Sequence, residues 1–284
     1  MAVIPAFFAN APSNSIYIDG QEATMSSLSL IRSKLSPLEL SILSALMLRG
    51  VMLTSHLATI CLGEHTPTTE RRIQRFGEKL EKMKALKRRA ISRVHSAGGT
   101  KALLWQLTKL GLKLAITDKR LLSEKLRYYS DDTGIATMRH TLDINDLEIK
   151  LLETQNSNIG FKVESIEREP YCWRKFSGIS LKSDMLTSTN YNDKTANWFI
   201  ELDRGTVRPA RIIDKCLLYR DYIIATYQTE WKSGVPAVLW VVPDQLRAQR
   251  LKAHVGAAVG QFAPLFRFVT APDFLPEILG GRRV

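Results

Sequence analysis

Residues Trp198-Phe199-Ile200-Glu201-Leu202-Asp203-Arg204-Gly205-Thr206 constrain this chain more than any other segment. The bulky apolar start reads as a strand entering a core. Side chains on a strand alternate with a period of two, so Glu201 and Asp203 are expected on one face. Two carboxylates at the end of a buried strand are costly unless a positive group sits between them. A divalent cation meets that need, because hard cations take carboxylate oxygens. Asp184 lies 17 residues before Glu201, and Lys215 lies 12 residues after Asp203. The four together read as a phosphodiester-cleaving site. Asp184, Glu201 and Asp203 are its expected ligands for Mg²⁺ or Mn²⁺, and Lys215 the cation facing the scissile phosphate.

The elements around this segment order themselves as a mixed sheet with helices. A helix is expected from about Arg139 to Thr154, with strands at Phe161–Glu169, Gly178–Leu186 and Trp198–Leu202. A helix follows over Ile212–Ile224. Ala237–Val242 is a continuous apolar run ended by Pro243, which suits a strand covered on both faces. Asp244 caps a helix to about Val255, and Phe266–Val269 is a last strand. The order α-β-β-β-α-β-α-β is that of a restriction-endonuclease-like core of the PD-(D/E)XK type. That core places one acid at the start of its second strand, here Asp184, and another on the third, here Glu201. A lysine normally stands two residues after the second acid. Asp203 occupies that slot, and Lys215 on the next helix is expected to reach back. Glu169 and Glu148 are weaker candidates for outer metal contacts.

Charge divides the chain. Residues 1–130 carry 20 Lys and Arg against 9 Asp and Glu, a net +11, whereas residues 131–284 carry 20 against 19, a net +1. A basic half joined to a nearly neutral one suggests a nucleic-acid-binding module beside a module with another task. Ser36-Pro37 starts a helix that Gly50 stops, and Thr54 caps a second helix to Leu62. A third helix opens at Thr68 or Thr69. Its apolar stripe is Ile73, Phe76, Leu80, Met83 and Leu86. A second stripe of Arg72, Arg75, Lys79 and Lys82 is rotated by roughly 100°. Arg71 adds to this basic surface. Lys87–His95 is a basic alternating strand with Arg88, Arg89 and Arg93, Ser96–Gly99 a turn, and Lys101–Thr108 a returning strand. This order predicts a winged helix-turn-helix, with the third helix in the major groove and the hairpin on backbone. The expected partition is a partly ordered arm over 1–30, a winged helix over 31–130 and the nuclease-like domain over 135–284.

Other chemistries find little support. No Gly-rich phosphate loop, His-Glu-x-x-His motif or zinc spacing occurs, and no His-x-His pair supports a histidine-clustered tyrosine nicking enzyme. His140, at an expected helix start, reads as a structural histidine. Cys61, Cys172 and Cys216 are widely spaced and read as buried small hydrophobes. No apolar run is long enough to span a membrane, and the first residues lack a basic signal-peptide start. A cytoplasmic protein is expected.

The chain resembles the replication-relaxation family of mobile-element proteins, which includes MobC-type conjugative relaxases. The resemblance rests on Leu107–Gly111, His140–Asp146, Phe199–Thr206 and Lys215–Tyr219 and covers most of residues 36–270. It implies a nuclease-like fold, action at a plasmid transfer or replication origin, and a Mg²⁺ or Mn²⁺ requirement. It implies double-stranded origin DNA as partner, with single-stranded DNA and other mobilization or replication proteins as further candidates. It maps Asp184, Glu201, Asp203 and Lys215 onto the acidic-and-lysine site. Two function classes remain open. One is a relaxase-like nickase, with a transposon end-cleaving nuclease as a related enzyme. The other is a winged-helix regulator or accessory factor whose nuclease-like half is inactive.

Overall fold

The computed structural model describes residues 17–18, 21–22, 25–92, 101–116, 133–231 and 234–280. Strands β1 (Tyr17–Ile18) and β2 (Gln21–Glu22) pair antiparallel and lead into α1 (Met25–Ser33). The arm expected over 1–30 therefore gives way to helix at Met25, and Leu28 is buried in the N-terminal core. Helix α2 (Pro37–Arg49) begins as expected: Ser36 and Glu39 form a reciprocal capping box with Pro37 at the first helical position. Such a cap is worth about 1 kcal/mol. Next come β3 (Met52–Leu53), α3 (Thr54–Leu62) and α4 (Pro67–Lys82). Thr66 caps α4 in a box with Thr69, so the helix opens earlier than Thr68. It also ends earlier than the apolar stripe implies. Lys84 turns the chain at φ +58, and Leu86 belongs to the next strand rather than to α4.

That strand, β4 (Leu86–Ser92), pairs with β5 (Lys101–Leu107), and β5 also pairs with β3, giving the order β3-β5-β4. The turn Ser96–Gly99 and Arg93 lie outside the described residues. Helix α5 (Lys109–Ile116) closes this half. Two glycines are required by close approach. A Cβ on Gly77 would stand 2.8 Å from the Trp105 ring, and one on Gly111 would stand 2.0 Å from the Ala85 carbonyl oxygen. Trp105 is buried between α4 and α2, and its indole N–H donates to the Thr54 hydroxyl at 3.0 Å.

The second half begins with α6 (Ile135–Ser157), β6 (Phe161–Arg168), a small hairpin of β7 (Arg174–Phe176) and β8 (Ile179–Leu181), β9 (Met185–Tyr191) and β10 (Lys194–Leu202). It continues with α7 (Pro209–Glu230), β11 (Ala237–Val242), α8 (Gln245–Val259), a 3-10 turn, β12 (Phe266–Thr270) and α9 (Phe274–Gly280). The single strand expected over 178–186 is thus two pieces, with Asp184 just ahead of β9. The protein is mixed α+β, and its main sheet has five strands in the order β12-β11-β10-β9-β6. Strands β6, β9 and β10 run as an antiparallel meander, whereas β10, β11 and β12 are parallel.

Alternation divides the sheet's side chains between two apolar layers. Phe199, Val238, Trp240 and Val242 pack against Tyr219 and Tyr222 of α7 and Leu251 and Val255 of α8. Trp198, Ile200, Leu239 and Val241 pack against Leu147 and Leu151 of α6 and Phe274 and Ile278 of α9. Every residue of β11 is buried, as its unbroken apolar run predicts for a two-faced strand.

Helix α6 is the spine joining the halves. Asn145 Nδ2 donates to the Val51 carbonyl at 2.8 Å, and His56 Nε2 lies 2.7 Å from Asp146 Oδ1. Glu148 is almost wholly buried and takes Arg49 at 2.7 Å on one oxygen and Arg168 at 2.7 Å on the other. Burial works against its charge, but the two guanidiniums win and hold its carboxyl below the usual range. Glu148 is therefore a clamp between halves and not the outer metal contact expected of it. No helix among the described residues is long and apolar enough to cross a membrane.

Candidate functional site

The sheet's carboxyl-terminal edge gathers acids from three elements. Asp184 sits just ahead of β9, where one carboxylate oxygen accepts the Leu202 backbone N–H at 2.8 Å. This bond ties the start of β9 to the end of β10. Asp184 Oδ1 lies 3.3 Å from His140 Nε2, which α6 supplies from its second turn. Glu169 follows β6, and its backbone N–H donates to the Asp184 carbonyl at 3.2 Å. His140, Glu169 and Asp184 each offer an atom within 4.8 Å of the others, the only such group of three or more potential ligands among the described residues.

Electrostatics agree with this grouping. Burial would lower the His140 pKa, but Asp184, Glu169 and Asp143 outweigh it and raise it. Burial would raise the Asp184 pKa, but His140, Lys215 and the Leu202 N–H lower it. An imidazole nitrogen gathered with two carboxylates is also a donor set that a divalent cation could use. One imidazole nitrogen with two carboxylates fits Mn²⁺ well and Mg²⁺ less well, since Mg²⁺ favours oxygen.

Glu201 adjoins this group from β10. It is 2% exposed, and its carboxylate takes Lys215 Nζ at 2.6 Å on one oxygen and the Tyr219 hydroxyl on the other. Burial pushes its pKa up to about 7, with Asp184 adding to the rise against Lys215 and Tyr219. Burial also opposes the charge on Lys215, but Glu201 and Asp184 prevail and raise its pKa. Lys215 does reach back from the next helix, as the sequence predicts. Its position on the second turn of α7 and the parallel β10–α7–β11 crossover bring it over Glu201.

Asp203 stands apart. It faces the same layer as Glu201, as a period of two requires, but it lies past the strand's end. One oxygen accepts the Gly205 backbone N–H at 2.9 Å and the other binds Arg247 Nε. Arg247 also donates to the Val207 carbonyl at 2.6 Å. Asp203 thus fastens the 203–208 loop to α8, with the Arg247 guanidinium offsetting its charge. Of the expected ligands, Asp184 lies within 4.8 Å of two further potential donors, His140 and Glu169, while Glu201 pairs with Lys215 and Asp203 with Arg247. The Glu-x-Asp spacing within one segment gives no hint of Arg247, which is 44 residues from Asp203. His140 escapes sequence reasoning because one histidine on a helix shows no partner until β9 is folded beside it.

The basic surface of the first half is exposed, with several of its cations engaged: Arg71 Nε donates to the Pro67 carbonyl at 3.0 Å and Arg75 lies over the Phe76 ring. Arg71, Arg72, Arg75 and Lys82 are exposed on α4. Lys79 reaches the buried Glu39 at 2.8 Å. Arg88 pairs with Glu81 at 2.7 Å and lies over the Trp105 ring, which holds it against the domain. Arg89 lies on β4 and is half-buried. Cys172 and Cys216 are buried as expected, and burial pushes both thiols up to about 12; Cys61 is only half-buried.

A family model described as replication-relaxation matches residues 43–239. The chain belongs to the replication-relaxation family. The matched range runs from α2 through β11 and includes His140, Glu169, Asp184, Glu201 and Lys215. A role in replication or relaxation follows from this membership. No curated protein and no solved structure matches the chain. In this replication-relaxation protein Arg247, the partner of Asp203, falls beyond the matched range.

Proposed function

We propose that this replication-relaxation protein is a metal-dependent DNA nickase acting on one strand at a plasmid or mobile-element origin. The observation that carries the reading is the convergence of His140, Glu169 and Asp184 beside the Glu201–Lys215 pair. Element order adds support. The meander β6-β9-β10, the crossover helix α7 and parallel β11 would suit a PD-(D/E)XK arrangement, with Asp184 just ahead of β9 and Glu201 on β10. Helices α2, α3 and α4 with sheet β3-β5-β4 support reading this half as a winged helix, which would carry exposed α4 into a major groove.

His140, Glu169 and Asp184 would hold Mn²⁺ or Mg²⁺. Such an ion supplies Lewis acidity to a phosphoryl oxygen. Glu201, with its pKa near 7, is matched to accepting a proton from an attacking water at neutral pH. Lys215 places a positive charge where negative charge grows on the phosphorus centre. Tyr219 is fully buried and its hydroxyl is held by Glu201, which supports water rather than this tyrosine as the attacking group.

The test is conversion of supercoiled origin plasmid to nicked circle with Mn²⁺ or Mg²⁺. His140→Ala and Glu169→Gln should each lose at least ~100-fold in rate, in the range seen when a metal-holding or electrostatic group is removed, while origin binding persists. A parent protein that binds origin DNA yet nicks nothing under either metal would overturn the nickase. It would leave the inactive regulator, a reading favoured by Asp203 in the slot expected to hold lysine.

A further inference from the structure

The three proposed metal donors come from three elements that are not equally fixed to one another. The sheet locks two of them. Arg168 pairs with Met185 in the β6–β9 ladder, and the Glu169 N–H donates to the Asp184 carbonyl at 3.2 Å. His140 comes from α6, a helix with no strand ladder to set its register on the sheet. Ile144, Leu147 and Leu151 pack α6 against the sheet, but apolar contact is non-directional and leaves sliding along the helix axis open.

A directional tie restrains that sliding. Glu148 lies on the same helix as His140, about 12 Å further along its axis. Its Oε2 accepts Arg168 Nη1 at 2.7 Å, and Arg168 immediately precedes Glu169. The Arg168 carbonyl accepts the Tyr171 N–H at 2.7 Å and the Cys172 N–H at 3.1 Å, so the turn that carries Glu169 is built on Arg168. The Asp143–Arg204 pair also holds α6, but it is partly exposed on both sides and solvent weakens it. Glu148 and Arg168 have side chains only 1% and 7% exposed.

The first half shares this tie. Arg49, at the end of α2, gives Nε at 2.9 Å and Nη2 at 2.7 Å to the other Glu148 oxygen. A buried carboxylate with one cation instead of two is held less firmly in its charged form, and a neutral Glu148 grips Arg168 more weakly. Buried ionic triads add little net stability over apolar packing, and their best-attested use is to fix register. We propose that Arg49, Glu148 and Arg168 are positioning residues that keep His140 in register with Glu169 and Asp184, so that docking of the first half on α6 completes the donor set of the second. The inference rests on the nickase reading for the metal and on the geometry alone for the relay.

Mn²⁺ titration of the full chain, without DNA, is the first readout. Arg49→Gln should weaken Mn²⁺ affinity about tenfold, the lower end of what losing an outer partner costs a metal site. Arg49→Lys keeps a cation on Glu148 and should recover most of that loss. His56→Gln breaks the His56–Asp146 contact between the same halves without touching Arg168, and should leave the affinity at the parent value. Changing Arg49, Glu148 and Arg168 together to Met should preserve the melting temperature and still lower Mn²⁺ affinity about tenfold or more. Amide hydrogen exchange in metal-free buffer is the second readout. The N–H groups of Glu169, Tyr171 and Cys172 should exchange faster in Arg49→Gln and at the parent rate in His56→Gln. A folded Arg49→Gln or triple-Met protein with parent Mn²⁺ affinity overturns the proposal, as does an equal loss in His56→Gln. A parent that binds no Mn²⁺ sinks the metal reading, and the exchange pattern then decides the relay: faster exchange at 169–172 in Arg49→Gln upholds it, and unchanged exchange there overturns it.

Discussion

Replacing Asp203 separates the two roles open to it. If it is a metal ligand, Asp203→Asn should abolish Mn²⁺ binding and leave the fold alone. The structure gives the opposite expectation. The Asp203 side chain is 0% exposed, while Arg247 retains 19%. Asp203→Ala leaves the Arg247 charge without its partner and the Gly205 N–H without its acceptor. Breaking a buried pair costs about 3–5 kcal/mol, and an unpaired N–H about 1–3 kcal/mol. Water reaching Arg247 relieves part of this, so a destabilisation of about 3 kcal/mol is expected. At roughly 2–4 °C per kcal/mol for larger domains, the melting temperature should fall by roughly 10 °C. Asp203→Asn keeps the shape and the Gly205 contact and should lose about half as much. Mn²⁺ affinity by titration calorimetry should hold within about threefold below the melting range, since the proposed donors are elsewhere. An Asp203→Asn protein that melts with the parent but no longer binds Mn²⁺ would refute the fastening role and restore Asp203 to the metal.

Three further outcomes are expected. Glu201 has a folded pKa of about 7 against an ordinary 4.5, so the folded state holds its proton more tightly. Its contribution to stability should accordingly decline by about 3 kcal/mol as pH rises from 4.5 to 7, and nicking should rise over an acid limb centred near 7 that Glu201→Gln removes in a pH–rate profile. For the first half, Arg72→Ala should lower the salt slope of duplex binding by about one, whereas Arg88→Ala, already paired with Glu81, should change it little; equal slopes for the two would contradict the assignment. Gly111→Ala puts a methyl 2.0 Å from a backbone oxygen and should cost more than about 2 kcal/mol in urea denaturation, in the range of overpacked cores.

Much of the fold is written in local pattern. Ser36-Pro37 and Asp244 announce their helices because a cap needs only residues a turn away. The run Ala237–Val242 announces a strand covered on both faces because burial of alternate side chains on each side leaves no polar position. Glu201 and Lys215 could be named in advance, since an acid at the end of an apolar strand requires a nearby cation. Pattern fails where the partner is remote in the chain. Asp203 has the spacing of a second ligand, yet Arg247, brought from α8 by the parallel β10–β11–β12 order, takes its charge. Glu169 reads in the sequence only as a candidate outer metal contact, and His140 only as a structural histidine. They become neighbours of Asp184 only when α6, β6 and β9 meet at one edge of the sheet. Residue type and spacing decide which groups are charged and which face they take; the packing of distant elements decides which charge each one meets.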